Sequence, residues 1–452
     1  MKDGLDLLVR GARVVTPKGL VSADLAVKDG KFARVAAGIE ETAAETVEAG
    51  GLCVFPGIVD SHVHFNEPGR THWEGFASGS AALAAGGGTA FFDMPLNSLP
   101  PVTDAESLAL KRAAGQRSSM LDFGLWGGLV PGNLEKLEEM RDAGAIGFKA
   151  FMCNSGVEEF PASDSPTLRA GMKRAAALGM LVAVHAEDEA LARKLTKEQR
   201  AKGTDARTWL ASRPVELELT AIRMALEFAG ETGCALHIVH VSSPEGCALA
   251  QEARRRGVDV TVETCPHYLL LTEEDVVRLG APAKCSPVLR SEAGRQGLWR
   301  KVEEGGIDTI GSDHSPAPPE CKQAADFFEI WGGISGCQHG FQLLISEAIS
   351  RRPEEVALPR LAEVLASAVA RRFRIDTRKG RIAEGLDADF SLLDIHADQT
   401  LSNADLLYRH RQGPYGGRGS RVRIVRTVAR GRTAYANGRV ASDRPRGQFV
   451  RP

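Results

Sequence analysis

The chain has 452 residues, too many for one ordinary core, so two or more domains are expected. A formal net charge of −2 and ordinary apolar and charged fractions give no reason to expect nucleic acid or an anionic membrane as a partner. No apolar stretch reaches the ~18 residues of a membrane span, and Met1-Lys2-Asp3-Gly4 opens a polar segment without a signal-peptide core, so a cytosolic protein is expected.

Residues 1–55 read as short strands. Leu7-Leu8-Val9 and Ala12-Arg13-Val14-Val15 are followed by Asp24-Leu25-Ala26-Val27, and Asp29-Gly30 marks a hairpin. The same texture returns over 380–452, at Asp389-Phe390-Ser391-Leu392-Leu393 and Val422-Arg423-Ile424-Val425, with a second hairpin signal at Asn437-Gly438. The two ends are expected to pair into one small β-sandwich domain, with two unrelated β appendages as the alternative. Between them, over 56–379, apolar β-type runs occur at 58–59, 89–92, 123–126, 147–151, 180–184, 235–239, 258–262 and 308–310. Helical patterns separate them at 73–85, 105–116, 134–143, 167–178, 215–231, 244–256 and 294–304, most ending near glycine. Eight strands alternating with helices predict an α/β fold of the (β/α)₈ type. A doubly wound sheet is the alternative, but no Gly-rich phosphate loop follows the first run.

Eight cysteines are scattered without a Cys-x-x-Cys pair, so neither a structural zinc site nor a redox pair is expected. Cys153 and Cys285 lie near candidate site segments, where simple packing is the expected role.

In such a barrel the C-terminal ends of the strands carry function. His62 and His64 follow the first run, and at i and i+2 on a strand they share a face. Lys149 lies in the fourth run, His185 ends the fifth, His240 the sixth and Asp313 the eighth. Four imidazoles and a carboxylate suit zinc or a related divalent cation. An ammonium beside metal ions is repelled, so Lys149 fits only as a neutral amine. Reaction with CO₂ would make it a carbamate, an anionic two-oxygen ligand able to bridge two metals. By residue type alone, a salt-bridged barrel lysine is the alternative. His237 lies three residues before His240 on the opposite parity and is expected outward or behind the ligands. His267 is expected either to line the site or to hydrogen-bond structurally, and His314 to orient its neighbour. His72, His339, His396 and His410 are expected on the surface or in loops.

These residues resemble the cyclic amidohydrolases of the amidohydrolase superfamily, which include dihydroorotase, hydantoinase or dihydropyrimidinase, and allantoinase. The likeness spans nearly the whole chain. It rests on His62-Val63-His64, Gly147-Phe148-Lys149, Val184-His185-Ala186-Glu187, His240-Val241-Ser242-Ser243, Glu263-Thr264-Cys265-Pro266-His267-Tyr268 and Gly311-Ser312-Asp313-His314. The resemblance implies a barrel with a small β-sandwich and a two-metal centre bridged by N6-carboxylated Lys149. One metal would bind His62, His64, Lys149 and Asp313, and the other His185, His240 and Lys149. A bridging hydroxide would attack the ring amide while Asp313 shuttles the proton. The expected metal is Zn²⁺, with Fe²⁺, Mn²⁺, Co²⁺ or Ni²⁺ as alternatives.

Within the family, dihydroorotases usually carry arginine two residues after the second histidine, where this chain has Asn66. A neutral amide cannot make the charged bidentate contact that a substrate carboxylate needs. Hydantoinases usually carry tyrosine five residues after the lysine, where this chain has Asn154. Asp93-Met94-Pro95-Leu96-Asn97-Ser98 and the segment from Phe148 to Gly156 resemble the allantoinase branch. That branch implies hydrolysis of allantoin to allantoate in purine (ureide) breakdown. Hydantoinase or dihydropyrimidinase is the alternative, and dihydroorotase or a non-catalytic relative ranks lower. The resemblance also points to Ser286 and Gly332 as backbone contacts for a cyclic ureide, with Asn154, Asn66 and Ser315 as side-chain contacts. It implies a homo-oligomer, tetramer or dimer.

Overall fold

The computed structural model describes residues 4–441 and 446–452. The polar opening at Met1-Lys2-Asp3 and residues 442–445 of the C-terminal β segment lie outside the described residues. The N-terminal strands are β1 (Leu5–Thr16), β2 (Gly19–Lys28), β3 (Lys31–Ala36), β4 (Ala43–Glu48) and β5 (Cys53–Pro56). Leu7–Val9 and Ala12–Val15, expected as two strands, belong to the single strand β1. A bulge between Val9 and Ala12 interrupts its pairing with β2. Gly11 takes φ +69° there, and a residue without Cβ absorbs the extra bend at little cost.

The barrel strands are β6 (Ile58–Val63), β7 (Gly88–Asp93), β8 (Asp122–Leu125), β9 (Gly127–Gly128), β10 (Phe148–Phe151), β11 (Val182–His185), β12 (Leu236–Ile238), β13 (Val260–Thr264) and β14 (Thr309–Ile310). All adjacent pairings are parallel. β8 and β9 are two halves of the third position, separated by Trp126. The ring closes where Val63 bridges His314 and the Ser312 N–H donates to Asp60 at 2.9 Å. The result is a (β/α)₈ barrel. Its first helix, Phe76–Ala85, starts later than the apolar pattern suggests, because Gly75 at φ +92° breaks the backbone just before it. Two further helices, Glu189–Arg200 and Ala206–Ala211, follow β11 and are capped by Asp188 and Asp205.

The chain returns to the first sheet with β15 (Phe390–Asp394), adds the short pair β16 (Gln399–Thr400) and β17 (Gly419–Ser420), and finishes with β18 (Arg423–Ala429), β19 (Arg432–Ala436) and β20 (Arg439–Val440). Strands from both ends form one nine-stranded sheet, in the order β20-β19-β18-β15-β5-β1-β2-β3 with β4 on β1. This sheet curls over itself. Phe32 in β3 and Phe390 in β15 stand four strand positions apart, ~19 Å in a flat sheet at ~4.8 Å per strand, yet their ring centroids are 6.0 Å apart. The two layers of this sandwich are thus halves of one sheet, closed by Phe32 N–H donating to the Leu386 carbonyl. Leu7, Val9, Leu25, Val27, Val54 and Leu392 fill its core.

The barrel has a separate interior. Val59, Phe92, Trp126, Ile146 and Leu181 pack there with Phe373 and Ile375, which follow the helix Ala368–Arg372 and seal the end where the strands begin. Phe373 meets Phe92 and Trp126 edge-on, at 4.9 and 5.3 Å. The plug excludes water from below, so polar groups higher in the barrel face only the open end.

Candidate metal centre

His62 lies on β6, and His64 follows it immediately; both are buried. Asp313 reaches them from beyond β14. One of its oxygens, Oδ1, lies 3.2 Å from His62 Nε2 and 3.3 Å from His64 Nε2. The ligand atoms of these three residues all lie within 4.8 Å of one another. Burial pushes the Asp313 carboxyl up, but His62 and His64 outweigh it and hold the group well below the usual carboxylate range.

On the other side of the barrel axis, His185 Nδ1 faces His240 Nε2 at 3.0 Å. Two ring nitrogens facing each other at this distance are natural co-ligands of one cation. Cys153 and Glu187 also approach His185 closely enough to form a second ligand-type group. We assign the Glu187 side differently: its carboxylate takes His185 Nε2 at 2.9 Å, which leaves Nδ1 on the His240 side. Glu263 does the same for His62, accepting from Nδ1 at 2.8 Å while Nε2 faces Asp313. Each of these histidines therefore has one nitrogen fixed by a buried carboxylate and the other directed into the cluster, the usual arrangement behind metal-binding imidazoles. Gly311 makes room for the Glu263 contact, since a Cβ there would stand 2.9 Å from both Glu263 Oε2 and His62 Cβ.

Lys149 lies on β10 with no exposed surface, and its Nζ has no hydrogen-bond partner among the described residues. Burial pushes its ammonium down to about 8, so the neutral amine is more accessible than in an ordinary lysine. A fully buried, unpartnered amine among histidines and an ionised aspartate is chemically incomplete. The imidazole and carboxylate donors fit a group that supplies positive charge to the cluster, and the Lys149 nitrogen joins them only as a neutral amine.

Parity along the strand does not locate every residue. β12 ends at Ile238, and His240 sits past it at φ +40°, so the strand period no longer relates it to His237. His237, expected outward or behind the ligands, points into the barrel beneath the cluster. Its Nδ1 meets Thr261 Oγ1 at 2.8 Å and its Nε2 meets Glu263 at 3.4 Å. Asp313 is also past its strand, at φ +43°, a backbone region that non-glycine residues seldom occupy. His314 turns away: its Nδ1 accepts from Gly336 N–H at 3.1 Å and its carbonyl accepts from His64 N–H at 2.8 Å. His267 is buried near Asp313 with both ring nitrogens unpartnered, and burial pushes its ring down to about 4. His339, expected on the surface or in a loop, opens the helix His339–Arg351 and is buried, whereas His72 and His396 are exposed and His410 is half-buried.

The cluster forms the floor of a cavity of about 730 Å³. Ser286, Gly332, Asn154 and Ser315 line it as the sequence suggests. Asn66 does not: it is fully buried at φ +64°, its amide aimed at the Pro316 carbonyl 3.4 Å away, because the left-handed backbone turns its side chain into the loop. Asn97 lines the wall instead, 3.4 Å from His64 Nδ1. Glu187 and Phe151, from two of the family-like segments, are further wall residues, as are Arg213 and Lys284.

The model of the amidohydrolase family matches residues 53–434. An allantoinase from Deinococcus radiodurans is 50% identical over 452 residues, covering 99% of each chain. One from Rubrobacter xylanophilus is 52% identical, covering 100% of this chain and 98% of its own. The solved L-hydantoinase (dihydropyrimidinase) from Arthrobacter aurescens superposes with a TM-score of 0.95 at 35% identity, over 99% of this chain and 100% of its own.

Proposed function

The chain belongs to the amidohydrolase family, and on that premise we propose that it hydrolyses the ring of allantoin to allantoate. One observation carries the choice within the family: relatives named allantoinase share half of its residues over nearly the full length of both chains. The hydantoinase that superposes so closely shares 35%.

We assign His62, His64 and Asp313 to one metal, His185 and His240 to a second, and Lys149, carboxylated on Nζ, to both. The orphaned Lys149 nitrogen and the directed histidine nitrogens support that assignment. Zn²⁺ suits this set of imidazoles and carboxylates. When bound, the metal pair supplies an acidified water and polarises the amide carbonyl. Asp313 stays ionised, held so by His62 and His64, and is thus able to accept a proton from the attacking water. It returns that proton to the ring nitrogen as the C–N bond breaks. Oxygen from water ends on the acyl carbon as carboxylate, and no side chain forms a covalent acyl intermediate. Backbone groups of Ser286 and Gly332 pair with the ring, while Asn154 and Ser315 present polar side chains beside it. Family resemblance supports a homo-oligomer, dimer or tetramer, which sedimentation of the purified protein would resolve.

The test is a panel of allantoin, hydantoin, dihydrouracil and dihydroorotate offered to the purified metal-loaded protein. Allantoin should be turned over with the highest kcat/KM. Turnover of hydantoin or dihydrouracil with none of allantoin would sink the proposal in favour of the hydantoinase reading.

A further inference from the structure

Two lysines outside the metal cluster hold one wall of the cavity. Lys284 is 3% exposed, and its Nζ sits 5.0 and 5.4 Å from the ring centroids of Trp209 and Phe327. It donates to the carbonyls of Phe327 at 2.6 Å, Phe328 at 3.3 Å and Ile330. Lys322 Nζ donates to the carbonyls of Ala281 at 3.3 Å, Trp331 at 2.9 Å and Gly333 at 2.7 Å. An ammonium has three donors and no acceptor, so these contacts use the full capacity of both lysines. Five of the six carbonyls belong to the loop 327–333.

This loop is the cavity wall that presents Gly332, and Ser286 lies two residues after Lys284 on the facing segment. Gly333 N–H donates to the Lys284 carbonyl at 2.8 Å, which joins the two segments directly. The loop has only a short 3₁₀ turn, Phe327–Glu329, so its carbonyls lack the partners a long helix or ladder would supply. Removing an ammonium would leave three of them to find water or to move.

We propose that Lys284 and Lys322 are positioning residues that lock the 284–286 segment and the 327–333 loop into one preformed edge, against which the N–H and C=O groups of a cyclic ureide align. This rests on the cyclic-ureide reading above and adds the groups that prepare its binding edge. Neither lysine touches the metal cluster. Their removal therefore weakens ground-state and transition-state binding together and leaves the chemical step alone.

The test compares K284M and K322M with the wild-type holoenzyme by steady-state kinetics, metal analysis and hydrogen exchange without substrate. Each variant is expected to raise KM about tenfold with kcat within about twofold, to keep its metals, and to exchange amides of 328–333 faster while barrel-strand amides stay protected. K322R, which retains the charge, should recover most of the lost affinity. Unchanged KM and unchanged loop exchange in both methionine variants would overturn the proposal, as would parallel loss of kcat and metals. Should K284M fail to fold, K322M and K322R decide alone. Exchange is read without substrate, so it distinguishes failure of this inference from failure of the allantoin reading.

Discussion

Lys149 and Lys379 are both buried lysines, and their surroundings are opposite. Lys379 lies at the junction of barrel and curled sheet, where Nζ meets Asp389 at 2.7 Å, Asp122 at 2.8 Å and Asp387 at 3.0 Å. Burial pushes its ammonium down, but the three carboxylates outweigh it and hold it above the usual lysine range. Lys149 has no hydrogen-bond partner among the described residues, and burial outweighs Asp313 and Glu263 to hold it below the usual lysine range. Completed pairing marks a joint that holds two parts of the fold together. An unpartnered buried amine in the same chain is where we propose that another component finishes the structure.

The sharpest way to break this contrast is to remove both lysines in turn. K149A should lose both metals and reduce kcat/KM by at least about 1,000-fold, because acidification of water disappears with them; short carboxylic acids should restore part of the rate. Full activity in that variant would remove the bridging role. K379M should instead lower stability by about 3–5 kcal/mol, the usual consequence of leaving buried charges unpaired, with metals per folded chain unchanged. Denaturant unfolding within ~1 kcal/mol of wild type would show that the junction is not the joint described. A smaller effect separates the ligands from the carboxylates behind them. E263Q and E187Q should weaken metal affinity about 10–100-fold in chelator competition while the fold persists, and wild-type affinity in both would deny them an orienting role.

The smallest expected effect is on acid stability. Burial raises the Asp122 carboxyl, but Lys379 and Arg430 outweigh it and lower its folded pKa. Its contribution is therefore present above the unfolded value of ~3.9 and is lost as pH falls below that value through the lowered folded pKa. D122N should flatten the fall in stability below about pH 4, and an unaltered slope would argue that other carboxylates govern acid unfolding.

Much of the site was legible in the sequence because barrel strands end where apolar runs end. His62, His64, Lys149 and His185 lie on or next to strands whose limits the runs reveal. His240 and Asp313 could be named, but their geometry comes from positive-φ residues past the strands, where parity says nothing. Parity alone could not choose between an outward His237 and one behind the ligands; it lies behind them, against Glu263, and a positive-φ turn takes Asn66 out of the cavity wall. The curling of the sheet was hidden because it depends on contact between Phe32 and Phe390, far apart in the chain. Asn97, Arg213 and the lysine-held loop were hidden for the same reason: no local period links residues that meet only across the mouth of the barrel.

The central claim is that Lys149 is finished by CO₂ and two metals, as Lys379 is finished by three aspartates. Anomalous X-ray diffraction from crystals of the metal-loaded protein tests it most directly. The account predicts two anomalous peaks, one against His62, His64 and Asp313 and one against His185 and His240, with carbamate density continuous from Lys149 Nζ between them. An unmodified Lys149, or a single peak away from these residues, would contradict it.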